Sequence, residues 1–161
     1  MEKIIVLGIG SVLMTDEGIG VRVAERLKQS YTFPENVEVY DGGATGMHGL
    51  LPLIEEADRL IVIDAVNGPG EPGELYRYTA EDFRLTIPKK LSAHDVGFLE
   101  CLAIAQINEY APKSVVIIGV KPLDIETWGM ELTDFIAGKI GKLVEMTIAE
   151  LKELGAQPKP A

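Results

Sequence analysis

The chain has 161 residues, 47% of them apolar and 25% charged, and 15 Lys and Arg against 25 Asp and Glu leave a formal net charge of −10. That length suits one domain around one core, and the apolar share excludes a disordered chain. The acid excess, with no basic cluster longer than Lys89-Lys90, excludes nucleic acid as a partner and disfavours an anionic membrane surface.

No apolar run reaches the ~18 residues of a membrane span. The opening MEKIIVLGIG lacks the long apolar stretch and small-residue cleavage site of a signal peptide, so the expectation is a cytoplasmic protein that begins with a strand. A single cysteine, Cys101, allows neither an internal disulfide framework nor a thiolate metal cluster.

In chain order, KIIVLGI (3–9) reads as a buried strand ending in glycine. Residues 18–29 place Ile19, Val23, Ala24 and Leu27 at helical spacing. VEVY (37–40) is a second strand stopped by DGG, and GMHGLLPLIEE (46–56) a second helix in which Pro52 marks a kink or a late start. RLIVIDA (59–65) is a third strand, followed by the turn-rich NGPGEPGE. LYRY (75–78) alternates as an edge strand does. Residues 93–110 form a long apolar helix capped by Ser92, SVVIIGV (114–120) is a buried strand, and residues 133–154 make one long last helix. GAQPKPA (155–161) reads as a flexible tail after a single domain over 1–154.

Strands alternating with helices give parallel strands joined by right-handed crossovers. The expected fold is α/β: three layers, α/β/α, with a mostly parallel open sheet and helices on both faces. Ligands of such sheets bind at the carboxyl ends of the strands. The first loop brings Asp16 and Glu17 to that edge, the second and third strands end in Asp41 and Asp64, and the loop before the long apolar helix carries His94 and Asp95.

A dinucleotide site fits poorly. Its G-x-G-x-x-G fingerprint stops at Gly8-x-Gly10-x-x-Leu13, and Asp16 and Glu17 would repel a pyrophosphate at the helix N-terminus. Carboxylates and an imidazole suit a divalent cation, and Zn²⁺, Mn²⁺, Fe²⁺ and Ni²⁺ all accept such ligands. Each residue also has a plainer role. Asp16 and Glu17 favour a helix N-terminus, Asp41 and Asp64 cap turns, and His94 sits in a cap region. His48 reads as surface and Cys101 as core. Met14 and Met47 are either loop anchors or part of a peptide-binding surface.

GIGSVLMTDEGIGV (8–21), DGGATG (41–46), IDA (63–65) and SAHD (92–95), in this order and at these intervals, resemble the hydrogenase maturation endopeptidases. The resemblance spans residues 1 to about 154 and is greatest to the peptidases serving membrane-bound or group 1 uptake-type nickel–iron hydrogenases. It implies a phosphorylase/hydrolase-like fold and an endopeptidase that removes a C-terminal extension from the hydrogenase large-subunit precursor once nickel has been inserted. The implied metal-binding residues are Glu17, Asp64 and His94, meeting nickel that arrives with the substrate, while other divalent cations would occupy the site in isolation. Asp16, or a metal-bound carboxylate, would move protons. Asp41, Gly42, Gly43 and Thr45 would handle substrate. Two departures bear on substrate contacts: Ser11 stands where the family often has Asn, and D-G-G-A-T places threonine one position late.

The alternative from another class is a non-proteolytic metal-binding module for metalloenzyme assembly, with the same three ligands. A monomer is expected, since no long hydrophobic stripe stands out in the sequence.

Overall fold

A computed structural model describes residues 1–43, 47–79, 82 and 109–161. In chain order these form β1 (Ile4–Ile9), a 3₁₀ turn (Thr15–Gly18), α1 (Ile19–Ser30), β2 (Tyr31–Thr32), β3 (Val37–Gly43), α2 (Met47–Glu56), β4 (Arg59–Ala65), β5 (Leu75–Thr79), β6 (Ser114–Val120), α3 (Asp134–Ala137), α4 (Ile140–Glu153) and β7 (Lys159–Pro160). Five strands make the central sheet in the order β3-β1-β4-β6-β5. The first four are parallel, and β5, at the edge as the alternation of LYRY predicts, runs antiparallel along β6.

All of β1 is buried, as are Leu60–Ala65 of β4 and Val115–Val120 of β6. A parallel strand covered on both faces must be apolar on both, so these segments read as unbroken runs. The two-residue period then sorts their side chains. Ile4, Val6, Ile61, Ile63 and Ile118 pack with Val23 and Leu27 of α1 and with Leu143, Ile148 and Leu151 of α4. Ile5, Leu7, Leu60, Val62 and Ile117 pack with Leu50 and Ile54 of α2. Burying each such side chain contributes about 2 kcal/mol. The result is the three-layer arrangement the alternating pattern predicts.

Topology positions the site. From β1 the chain crosses through α1 to β3 on one side; from β3 it crosses back through α2 to β4 on the other side of β1. With both crossovers right-handed, α1 and α2 fall on opposite faces. The connections leaving β1 and β4 diverge, which opens a crevice at their carboxyl ends.

Four expectations change. First, β3 does not stop at Tyr40. It continues through Asp41–Gly43 because a bulge fits the extra residue: Gly8 pairs with Asp41 but Ile9 with Gly43, leaving Gly42 between them. Second, α2 runs continuously from Met47 to Glu56 across Pro52. Third, the long last helix is broken. Thr133 caps α3 by accepting from Ile136 N, and the chain tightens at Gly138 before α4, with Lys139 N donating to Ile136 O at 2.9 Å. A helical glycine costs about 1 kcal/mol relative to alanine, so Gly138 is where a break is cheapest.

Fourth, the tail is not loose. Gly155 takes φ 85° and Ala156 N closes α4 on Leu151 O at 2.9 Å. β7 then pairs antiparallel with β2, and Ala161 N reaches Ser30 O at 2.9 Å. The helix expected over 93–110 lies outside the described residues. Among the described residues, no helix is long and apolar enough to cross a membrane.

Candidate active site

At the carboxyl end of β1 the chain bends through Gly10, with φ 125°. A Cβ there would lie 1.9 Å from Glu17 O and 3.4 Å from Asp64 Oδ1. Glycine at this position therefore lets the first loop fold back over β1 and brings Glu17 to the end of β4. Asp64 is fully buried, and its Oδ1 accepts from Ala65 N at 2.8 Å. Glu17 is half-buried in the 3₁₀ turn. Behind them α1 sits hard against the strand ends: a Cβ on Gly20 would fall 2.1 Å from Ile63 O and 2.4 Å from Ile9 O. The third glycine missing from the dinucleotide pattern is replaced, for close packing of helix on strand, by Gly20.

Asp16 anchors the loop after β6. It is 0% exposed. Its Oδ2 accepts from Leu123 N at 3.0 Å and Asp124 N at 2.9 Å, and its Oδ1 from Thr133 N at 2.8 Å and Thr133 Oγ1 at 3.0 Å. A buried carboxylate occupied by four donors is an anchor for backbone. Neighbouring bonds complete the seam. Asp16 N donates to Asp124 O and Thr15 N to Gly129 O, both at 2.9 Å; Gly129 N donates to Leu13 O at 2.9 Å, and Thr15 Oγ1 to Thr127 O at 2.5 Å. Thr15 takes a left-handed φ of 53°, a strained conformation for a β-branched residue, held by these bonds.

Asp41 stands exposed at the end of β3, paired with Gly8, which pairs in turn with Ile63, next to Asp64. The structure thus brings Asp16, Glu17, Asp41 and Asp64 to one end of the sheet, with Gly42 and Gly43 in the bulge beside them. Thr45, His94 and Asp95 lie outside the described residues. Among the described residues, no group of three His, Cys, Asp or Glu side chains could hold a metal. Glu17, in the turn after β1, and Asp64, in β4, carry oxygen donors of a type that suits a divalent cation, and a third ligand would have to come from elsewhere in the chain.

The sequence reading missed the segment after β6. Residues 121–133 form the far side of the seam, and they carry Leu123, Ile125, Trp128 and Met130 exposed to solvent, with Leu13 across from them. Trp128 is 76% exposed. The available signal was a chain's only tryptophan in a loop leaving the carboxyl end of a buried strand. Within the loop, Asp124 Oδ1 accepts from Glu126 N and Thr127 N at 3.0 Å each. Hydrogen bonding from Thr127, then from the Glu126 amide, holds the Asp124 carboxyl below its usual range.

Comparison with known proteins agrees with this geometry. Residues 21–150 match the family model described as hydrogenase maturation protease. The chain is 42% identical over 155 residues to the hydrogenase expression/formation protein HupD of Bradyrhizobium diazoefficiens, covering 96% of this chain and 80% of that one. It is 35% identical over 159 residues to the hydrogenase 2 maturation protease of Escherichia coli K12, covering 98% and 96%. The structure of the hydrogenase maturating endopeptidase HybD from E. coli superposes with a TM-score of 0.91 at 35% identity, over 98% of this chain and 97% of that one. The chain belongs to the hydrogenase maturation proteases, enzymes that hydrolyse peptide bonds in hydrogenase processing.

Proposed function

We propose that this protein removes the C-terminal extension of a nickel–iron hydrogenase large-subunit precursor after nickel insertion, and that Glu17, Asp64 and His94 read the precursor's own nickel. The observation that carries this reading is the meeting of the Glu17 backbone and the Asp64 carboxylate at Gly10, at the crevice where the connections of β1 and β4 diverge. Membership of a protease family sets aside the alternative of a non-proteolytic assembly module. The loop does not cradle an anion; its Glu17 would meet a cation brought by the substrate.

Nickel at this point would polarise the scissile carbonyl or a water molecule. The chain's own residues hold the geometry. Asp64 is fixed at a strand end, its Oδ1 oriented by the Ala65 amide. Glu17 is placed by a turn whose neighbour, Asp16, is locked into the opposite loop. Asp41 and the glycines of the β3 bulge border the path of the extended substrate, with Thr45 following in sequence.

The test is a processing assay on nickel-loaded and nickel-free precursor, followed by mass. Loss of a C-terminal fragment from the nickel-loaded form alone is expected. Asp64→Asn, Glu17→Gln and His94→Ala should each slow it by about 100-fold or more, the scale of losing a group that acts on the reacting atoms. Equal cleavage with and without nickel would sink the gating, and normal cleavage by His94→Ala would remove His94 from the set.

A further inference from the structure

We propose that the exposed apolar rim of Leu123, Ile125, Trp128 and Met130, with Leu13 beside it, is the docking surface for the precursor, and that it takes an apolar segment flanked by Lys and Arg. This rests on the processing function proposed above and names where the substrate is held outside the crevice.

The rim is built, not incidental. Apolar side chains in a loop ordinarily turn inward. Here the polar backbone is the part that is anchored: Leu123 N, Asp124 N and Thr133 N are all taken up by the buried Asp16, and Gly129 is bonded on both sides to the first loop. The side chains are left facing water on a frame that is already ordered, which lowers the entropy lost when a partner binds. Five large apolar residues grouped in this way, one of them the only tryptophan, have the composition of a binding hot spot.

Place and charge identify the partner. The bonds that hold the rim land on residues 13–16, immediately before Glu17, so a partner held on the rim is held beside the loop that carries Glu17. Residues 122–138 contain Asp124, Glu126, Glu131 and Asp134 and no Lys or Arg, with Lys121 and Lys139 at their ends and Arg22 Nη2 donating to Met130 O at 2.7 Å. Glu126, Glu131 and Asp134 are exposed. Two copies of the chain meeting here would oppose like charges, whereas a basic-flanked polypeptide would be drawn in.

The experiment measures steady-state processing and direct binding of the nickel-loaded large-subunit precursor of the same organism, using the full chain. Trp128→Ala should raise KM at least tenfold with kcat within twofold, at an unchanged melting temperature. Glu126→Lys with Glu131→Lys should raise KM several-fold and flatten its salt dependence. Unchanged KM and binding in Trp128→Ala would overturn the proposal. So would a wild-type dimer in sedimentation that Trp128→Ala dissolves, because the rim would then be a self-interface. If the wild type binds precursor through Trp128 but cleaves nothing, the processing reading fails while the docking surface stands.

Discussion

The floor of the site and its rim are held by opposite means. At the floor, Asp64 ends a strand that is apolar on both faces, and Glu17 lies in the turn leading into a helix seated so closely that only glycine fits at position 20. At the rim, residues 121–133 leave Leu123, Ile125, Trp128 and Met130 exposed, and the backbone is tied down by one fully buried carboxylate, Asp16. Packing fixes the acids; polar anchoring frees the rim's apolar side chains. The processing proposed above would use both, a rigid point to meet the precursor's metal and a surface to hold its chain.

The largest expected effect comes from breaking the floor. Gly20→Val would push side-chain atoms into the carbonyl oxygens of Ile63 and Ile9, and backbone cannot yield as a side chain can. It should destabilise the fold by about 3 kcal/mol or more, read as a shift in the urea midpoint. A wild-type midpoint would mean that α1 is not seated on β1 and β4.

Asp16→Ala should come next, and it separates the two regions. It leaves the buried amides of Leu123, Asp124 and Thr133 without their acceptor, at a cost of about 2–4 kcal/mol. Hydrogen exchange should speed at those amides while β1 and β4 remain protected. Uniform loss of protection would show that rim and floor are one cooperative unit.

The smallest effect is local and pH-dependent. The carboxyl of Asp124 is held below its ordinary value of 3.8 by the amides of Thr127 and Glu126. Its contribution is therefore present above that ordinary value and is lost as pH falls through the lower, folded value. Exchange at Glu126 and Thr127 should rise below about pH 3.8 before exchange rises in β1. Simultaneous loosening of both would place the rim's order in the floor instead of in its own turn.

Most of the sheet was legible in the sequence. RLIVIDA and SVVIIGV become β4 and β6 with the expected bounds, since a strand buried on both faces has no freedom to be anything but apolar. The acids were legible as a group because they sit at the ends of those strands. The break at Gly138 and the strand at 159–160 were not, since each is decided by a competing contact: a tightened turn in one case, pairing with Tyr31 and Thr32 in the other.

By itself, then, the sequence determined the layers, the parallel order and the edge where Asp16, Glu17, Asp41 and Asp64 gather, because burial period and chain direction are local properties. Tertiary structure alone decided that two neighbouring acids differ in kind. The backbone carbonyl of Glu17 lies over Gly10, which Asp64 also borders, and Asp16 is consumed by partners 107 to 117 residues away. It alone decided, too, that Leu13 joins Trp128 and Met130 in one rim, since residues this far apart show no periodic stripe. Hydrogen-bond partners so distant leave no pattern in the chain, and only the folded sheet brings them within 3 Å.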